Sequence, residues 1–198
     1  MASHLLTLAP FDAEQLEIAE AILAQFRRAG LDNIGLAAVA NAWAESMLDP
    51  VVCYGRTPWG ADRGFGPIEG MEDSCGLFQL NAAPNAAGAG MSAASRMDAA
   101  QNTARIIEVI QGTSGAELRS AANSGASLGE LIILFTVDIE RPADSQTKGE
   151  ERAADAESWG WPIDKPPPKA STLATGMGTL PLIIVAVVAL VAVVAMAK

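Results

Sequence analysis

Apolar residues recur with a helical period over most of the first 160 positions. Between residues 13 and 29 they fall every three or four positions, after an Asp12 that can cap a helix and before a Gly30 that can end one. Similar periodicity recurs further along, at residues 34–47, 96–110, 128–137 and 150–158. No stretch alternates convincingly between apolar and polar residues, as a half-buried strand does. The pattern predicts a mainly α protein.

Local signals refine these helices. In the second helix the period turns Trp43 and Met47 towards the core. Residues 49–94 are rich in Gly, Pro, Asn and Ala, and an irregular stretch of that length is typical of a functional or unordered segment. Two pairs have the spacing of a capping box, in which each side chain bonds the other residue's backbone N–H: Ser114 with Glu117, and Ser127 with Glu130.

The C-terminal pattern is different. Residues 180–197 carry no charged and no hydrogen-bonding side chain. As a helix, this run would extend roughly 27 Å, close to the hydrocarbon thickness of a thin bilayer. Because it is apolar on every side, we expect a membrane-spanning or membrane-inserting helix and not a core element. Its regularly spaced alanines would allow copies of the helix to associate, and simple exposure to lipid fits them equally well.

A segment rich in proline and glycine precedes this run and predicts a linker. The expected organisation is a domain at 1–160, a linker at 161–179 and a transmembrane-type helix at 180–198. Trp159 and Trp161 flank the start of the linker. We expect them to pack on the domain, since about twenty residues separate them from the apolar run.

The net charge of the chain limits the classes of function that fit the sequence. The net charge of −10 argues against a nucleic-acid partner, because phosphates would repel such a surface. It also gives no long-range attraction to an anionic cell envelope. The apolar patch at Leu5, Leu6 and Leu8 lacks the basic flank and the cleavage site of a secretory signal. We therefore expect a protein that is delivered or anchored.

The cysteines and the histidine limit the available chemistry. Cys53 and Cys75 can form a disulfide that closes a loop of about twenty residues and adds roughly 3 kcal/mol of stability. Two reduced thiols are equally compatible with the sequence. Neither cysteine has the spacing of a metal ligand, and His4 is the only histidine. We expect no metal and no cofactor.

Glu45 is the first candidate for catalysis. Its neighbours on the same helix face, Ala38, Asn41 and Ala42, are small, so the carboxylate can border a groove. Nearby apolar or aromatic groups would keep it protonated and able to donate to a glycosidic oxygen. Taken alone, Glu45 fits a solvated helix glutamate better.

A second segment strengthens the candidate. Residues 74–81 read Ser-Cys-Gly-Leu-Phe-Gln-Leu-Asn. Gly76 permits close backbone approach, and Gln79 and Asn81 offer donors and acceptors that suit sugar hydroxyls and N-acetyl groups. The segment is suited to a sugar-binding groove.

These motifs carry a family resemblance. Ala-Glu-Ser at 44–46, Asp-Pro at 49–50 and Gly-Leu-Phe-Gln at 76–79 resemble the goose-type lysozyme and lytic transglycosylase superfamily. An aromatic at Phe135, Glu-Arg-Pro at 140–142, Arg152 and Ala156 are similar to the closing pattern of its phage tail-lysozyme branch. The resemblance covers about residues 31–157. Two features depart from it, namely Cys75, where relatives carry a small or aromatic residue, and the long loop at 56–73.

The resemblance implies a lysozyme-like helical fold that cleaves the β-1,4 bond between N-acetylmuramic acid and N-acetylglucosamine in peptidoglycan. Glu45 would be the catalytic acid. The expected substrate-binding residues are Gln79, Asn81, Phe78 and Tyr54.

The mechanism depends on a second carboxylate facing Glu45. Four acidic residues lie in the loop, each of which fits a solvated charge better, and the candidates among them are Asp62, Glu72 and Asp73. If none approaches Glu45, the family implies a transglycosylase, in which Glu45 also deprotonates the sugar's own 6-hydroxyl. In the Glu-Arg-Pro sequence, Glu140 fits a structural ion pair better than catalysis, with Arg141 bound to Glu140 or to a helix C-terminus.

The sequence therefore predicts a virion-associated enzyme that opens peptidoglycan during phage genome delivery, without a cofactor. Its expected partners are peptidoglycan, a membrane through residues 180–197, other virion proteins and copies of itself. It would move from the tail or interior of the virion to the host envelope. Two alternatives remain, a structural or channel-forming ejection protein with a degenerate lysozyme fold, and a cellular tail-anchored wall-remodelling enzyme.

Overall fold

The computed structural model describes residues 2–54 and 73–168, except for the side chain of Tyr54. These residues are mainly helical, which confirms the fold class at that level. The described elements are eight α-helices, three short strands and one π turn. The helices are α1 (Ala2–Leu6), α2 (Ala13–Arg28), α3 (Asp32–Ser46), α4 (Ala93–Met97), α5 (Ala99–Gln111), α6 (Ala116–Asn123), α7 (Leu128–Phe135) and α8 (Ser145–Ser158), and the π turn is Thr136–Glu140.

The core is built around α3. Its residues 34–42 are all buried, and α2, α6, α7 and α8 pack against it. A helix with apolar residues on every side is stable only when other elements cover it all round. Four of the buried positions are alanine, and small side chains let neighbouring helices come close. The last turn of α3, which carries Glu45, is therefore fixed by the packing of the whole domain.

Two of the predicted helix starts are confirmed. Asp12 caps α2, because its Oδ1 accepts from the Gln15 N–H at 2.9 Å and the Gln15 side chain accepts from the Asp12 N–H at 2.8 Å. Ser127 and Glu130 form the corresponding pair of bonds at the start of α7. Each box satisfies N–H groups that the first helical turn leaves unpaired.

The capping box predicted at Ser114 is wrong. α6 begins at Ala116 with Gly115 before it, and no side chain caps it. Gly115 lies directly on the end of α5, where an added Cβ would come within 2.2 Å of the Ile110 carbonyl oxygen. That close contact sets the start of α6 and leaves Ser114 outside the cap.

The predicted inward position of Met47 is also wrong. Met47 takes a left-handed backbone conformation (φ 54°) after the last residue of α3, and its side chain is 48% exposed. The next residue, Leu48, occupies the buried position instead. Trp43 is partly buried and contacts Phe11 and Trp159, with ring centroids 5.0 and 5.9 Å apart. The turn after α3 redirects the chain before the helical period reaches Met47.

The end of the described chain stays on the domain. Trp161 is buried, and its indole N–H donates to the Leu5 carbonyl at 2.7 Å, which confirms packing on the domain. The carbonyls of Ile163 and Lys165 then accept from the first two N–H groups of α7, both at 2.8 Å. Residues of the predicted linker thus supply hydrogen-bond acceptors for the N–H groups at the start of α7.

Several helix boundaries differ from the sequence pattern. The helix predicted at 96–110 is divided at Asp98, which ends α4 and caps α5. α7 ends at Phe135 and continues as the π turn, which closes when the Arg141 N–H donates to the Thr136 carbonyl at 2.9 Å. α8 begins five residues before the predicted residue 150. Gly149, a poor helix former, lies inside it because a Cβ there would be 2.9 Å from the Ile133 Cα.

The irregular stretch contains a small antiparallel sheet that the sequence does not predict. Its strands are β1 (Cys53–Tyr54), β2 (Ser74–Cys75) and β3 (Leu80–Asn81), in the order β1-β2-β3. Cys53 pairs with Cys75 across the first two strands, and the two are joined as a disulfide. Strands of two residues are too short to produce an alternating pattern, so the pattern does not reveal them.

A buried arginine fastens this sheet to the helices. Arg96 is 2% exposed, and its guanidinium donates to the Asp73 carbonyl, the Asp73 carboxylate and the Leu80 carbonyl at 2.7–3.0 Å. Gly76 (φ +87°) comes so close that a Cβ would lie 1.9 Å from the Arg96 carbonyl oxygen. Only glycine fits there.

Two parts of the sequence predictions fall outside the described residues. The loop candidates Asp62 and Glu72 lie within 55–72, and the apolar segment 180–197 lies within 169–198. Among the helices of residues 2–54 and 73–168, none is long and apolar enough to cross a membrane.

The two predicted capping boxes give a matched test. Ser127→Ala removes a cap and should lower the free energy of unfolding by about 1 kcal/mol. Ser114→Ala should change it by less than about 0.5 kcal/mol, since Ser114 caps nothing. Urea unfolding followed by circular dichroism measures both. Equal losses would contradict the assignment of the caps.

Arg96→Met should cost about 3 kcal/mol, because it leaves the buried acceptors of Asp73 and Leu80 without their donor. The control is Arg27→Met, which breaks an exposed ion pair with Asp32 and should cost less than about 1 kcal/mol. The same urea experiment compares them. A loss at Arg96 no larger than the loss at Arg27 would show that the sheet does not depend on this arginine.

Candidate active site

Glu45 lies in the last turn of α3 with 22% of its side chain exposed. Its Oε1 accepts a hydrogen bond from Nη2 of Arg152 on α8. The sequence leads us to expect apolar or aromatic neighbours around this carboxyl. The structure instead places a guanidinium beside this carboxyl, so Glu45 has a charged partner where the sequence predicts apolar neighbours.

Arg152 is the centre of a polar network inside the domain. Its side chain is 8% exposed, and its Nη1 donates to Oε2 of Glu140 and, at 2.5 Å, to Oδ1 of Asn41. The Thr136 hydroxyl donates to the same Asn41 oxygen at 2.7 Å. The Asn41 amide in turn donates to the carbonyls of Ala37 and Ile132. The network thus joins α3, α7, the π turn and α8.

Glu140 ends the π turn and is the most buried carboxyl of the cluster, with 5% of its side chain exposed. Burial raises the pKa of Glu140 to about 8, helped by the nearby Glu45 carboxylate and opposed by the Arg152 guanidinium. Oε1 of Glu140 is buried and has no hydrogen-bond partner among the described residues. At neutral pH this carboxyl therefore holds a proton.

A groove of about 370 Å³ runs past Glu140. One wall is the segment 78–81 and the other is the end of the π turn, with α5 between them. Its polar lining includes amides, carboxyls and guanidinium groups, from Gln79, Asn81, Asn85, Arg105, Asp138, Glu140 and Arg141. Such a mixture of donors and acceptors suits a ligand rich in hydroxyl and amide groups.

Three of the predicted sugar-binding residues line this groove. The Gln79 side chain donates to the carbonyls of Val52 and Gly76 at 3.1 and 2.9 Å, which holds the turn at 76–79 against β1. Asn81 caps the turn that follows β3 by accepting from the Ala83 N–H at 2.7 Å. Phe78 is almost fully buried and stacks on Phe135, so it supports the groove from below.

The remaining predicted residues are placed in part. The backbone of Tyr54 pairs with Ser74 in the sheet, and its side chain is outside the description. Asp73 forms an ion pair with Arg96 at 3.0 Å and so contributes to the sheet. The second carboxyl that the structure brings to Glu45 is that of Glu140, through their shared partner Arg152. Asp73, the loop candidate that lies among the described residues, does not take this position.

The sequence predicts a structural ion pair at Glu140, which the structure confirms, but it missed the partner Arg152 and the role of Asn41. Arg141 takes one of its two expected positions, since its side chain donates to the Asp138 carbonyl at the end of the turn. Glu140 pairs with Arg152 instead. The family motif contains both Glu140 and Arg152, but the order of residues in a motif does not show which of them form an ion pair.

The arrangement is suited to acid–base chemistry. One carboxyl is partly exposed beside a guanidinium, and a second is buried, protonated at neutral pH and on the groove wall. Pairs of carboxyls whose environments differ in this way can divide the roles of proton donor and acceptor. Among the described residues, no group of three His, Cys, Asp or Glu side chains could hold a metal ion.

The motifs described above are the basis for any family assignment of this chain. No family model, curated protein or solved structure matches the chain.

Proposed function

We propose that the protein is a glycosidase that cleaves the β-1,4 bond between N-acetylmuramic acid and N-acetylglucosamine in peptidoglycan. The observation that carries this proposal is that Arg152 connects Glu45 to Glu140. Glu140 lines the groove together with Gln79 and Asn81, whereas Glu45 is not among the described residues that line it. The order of the motifs at 44–46, 76–79 and 140–142 supports the same substrate class by its resemblance to lysozymes and lytic transglycosylases.

In the proposed reaction, Glu45 donates its proton to the glycosidic oxygen. The bond from C1 to that oxygen breaks, and its electron pair stays on the oxygen, which leaves as the hydroxyl of the next sugar. The oxygen of a water molecule, or of the sugar's own 6-hydroxyl, then forms a bond to C1 and gives its proton to Glu45. The first route is hydrolysis and the second is transglycosylation. Atoms and charges balance in both without a cofactor.

The proposed setting is a virion that carries the enzyme to the cell wall during genome delivery. The net charge of −10 supports delivery by a particle, since free diffusion to an anionic wall would gain nothing from it. In this proposal residues 180–197 enter a membrane, and other virion proteins hold the chain before release. Association of several copies through the small residues of that segment belongs to the same proposal.

Glu45→Gln should abolish the release of muropeptides from purified sacculi, with a loss of about 100-fold or more, because glutamine cannot donate the required proton. The experiment uses the full-length chain, purified in a mild detergent. Glu20→Gln, an exposed glutamate of α2, is the matched control and should digest at the wild-type rate. Mass spectrometry of the products separates 1,6-anhydro ends, which indicate transglycosylation, from reducing ends, which indicate hydrolysis.

A wild-type chain that is folded but releases no muropeptide would contradict the glycosidase proposal. That result would favour the second candidate, an ejection protein with a degenerate lysozyme fold. Full activity of Glu45→Gln would show instead that another residue is the acid.

A further inference from the structure

The Glu45–Arg152–Glu140 cluster contains two carboxyls and one guanidinium. Arg152 contacts Glu45 through Nη2 and Glu140 through Nη1, and all three side chains are largely buried. With both carboxyls ionised, the cluster would carry an uncompensated negative charge away from water, which is unfavourable. One proton on either carboxyl makes the cluster neutral. The geometry therefore favours a single shared proton at neutral pH.

The proton can reside on either carboxyl without changing the charge of the cluster. Arg152 contacts both carboxyls, Glu140 through Nη1 and Glu45 through Nη2, so the two groups share one cation. If the proton moves from Glu140 to Glu45, the Glu140 carboxylate keeps the Arg152 guanidinium as its counterion. Because no net charge is created or buried, this transfer avoids the main electrostatic cost of moving a proton inside a protein.

Three other charged residues line the groove with Glu140. Asp138, whose pKa is raised by burial and by Glu117, lies on the same turn, and Arg141 binds a carbonyl of that turn. Arg105, across the groove on α5, is paired with Glu108 at 2.9 Å. Among residues 2–54 and 73–168, the charged groups near Glu140 are thus Glu45 from α3, Arg152 from α8, Arg105 from α5, and Asp138 and Arg141 from its own turn.

We propose that Glu140 is a positioning residue for Glu45. Glu140 stores the cluster's proton in the free enzyme and passes it to Glu45 when the substrate enters the groove. This inference rests on the proposed function. In the cycle, the proton leaves the Glu140 carboxyl for the Glu45 carboxylate, and Glu45 then gives it to the glycosidic oxygen. The proton taken from water or from the 6-hydroxyl returns to Glu45 and then passes back to Glu140, which restores the starting state. Oε1 of Glu140 has no hydrogen-bond partner among the described residues, whereas Oε2 binds Arg152, so Oε1 is the oxygen that can carry this proton.

The first test is the pH profile of sacculus digestion by the full-length chain. In Glu140→Gln the stored proton is absent, and Glu45 faces Arg152 alone. We expect kcat to fall about 10-fold or more with little change in KM, and the alkaline limb of the rate to move to lower pH by one unit or more. Glu140→Asp, which keeps an ionisable group, should return the limb towards the wild-type position. Glu151→Gln, an exposed glutamate of α8, should leave the profile unchanged.

The second test does not depend on activity. The folded protein binds the Glu140 proton more tightly than the unfolded chain, because burial raises the pKa of Glu140 from 4.5 to about 8. The stabilising contribution is thus fully present below pH 4.5 and is lost as the pH rises to 8. We therefore expect the difference in unfolding free energy between the wild type and Glu140→Gln to decrease as the pH rises from 4.5 to 8. The slope should correspond to one proton released on unfolding.

The two tests separate the ways in which the inference can fail. A difference in unfolding free energy that does not change between pH 4.5 and 8 would overturn the shared proton, even in an active enzyme. An unshifted alkaline limb in Glu140→Gln would overturn the positioning role. Wild-type protein that shows the stability difference but digests no sacculi would contradict the proposed function and not the shared proton.

Discussion

The interior position of Arg152 is the constraint on which the centre of the domain depends. A guanidinium loses much of its hydration there, and this is tolerable only if hydrogen-bond acceptors and negative charges replace the water. Asn41 and Glu45 supply them from α3, and Glu140 supplies them from the π turn. The packing of α3, α8 and the π turn must satisfy this one side chain, and the same packing positions Glu45. Loss of the guanidinium would leave the buried Glu140 carboxyl without its counterion, and the Asn41 oxygen would keep only the Thr136 hydroxyl.

The candidate site and the core are consequently not separate structures. Asn41, fully buried in the central helix, accepts from both Thr136 and Arg152, so the core helix carries part of the site's hydrogen-bond network. On the other wall, Phe78 stacks on Phe135 beneath the groove. Gln79 fixes its own turn through two backbone carbonyls. Groups supported in this way stay in place when a ligand arrives, which is the condition for catalysis by preorganised polar groups.

The part of the fold that the sequence predicts is local. Asp12 and Ser127 mark helix starts because a capping box is complete within four residues. The prediction at Ser114 has the same spacing and is wrong, because Gly115 must lie against the backbone of Ile110. The predicted inward position of Met47 is wrong for a related reason, since a left-handed turn ends the helix before the Met47 side chain can face the core. Tertiary contacts decide such positions, and they leave no trace in a local pattern.

The candidate site shows the same division. Glu45 and the segment at 76–79 are found because each is a short motif, and their order indicates a resemblance. The ion pair of Glu45 with Arg152 joins residues 107 positions apart, and no spacing rule connects them. The strands β1 and β2 escape detection because they are two residues long. A sequence can therefore identify a candidate acid, but the groups that control its proton come from distant parts of the chain.

This difference matters for the chemistry, because there are two physical ways to keep a carboxyl protonated near neutral pH. An apolar cage does so by desolvation alone, and that is what the small residues around Glu45 suggest in the sequence. In this protein a cationic partner lies beside the acid, and one such charge by itself favours ionisation. The second carboxyl reverses the balance, since two acids and one guanidinium reach neutrality only with a proton bound. The charge of the cluster thus favours one bound proton, and the burial of Glu140 favours that carboxyl as its site.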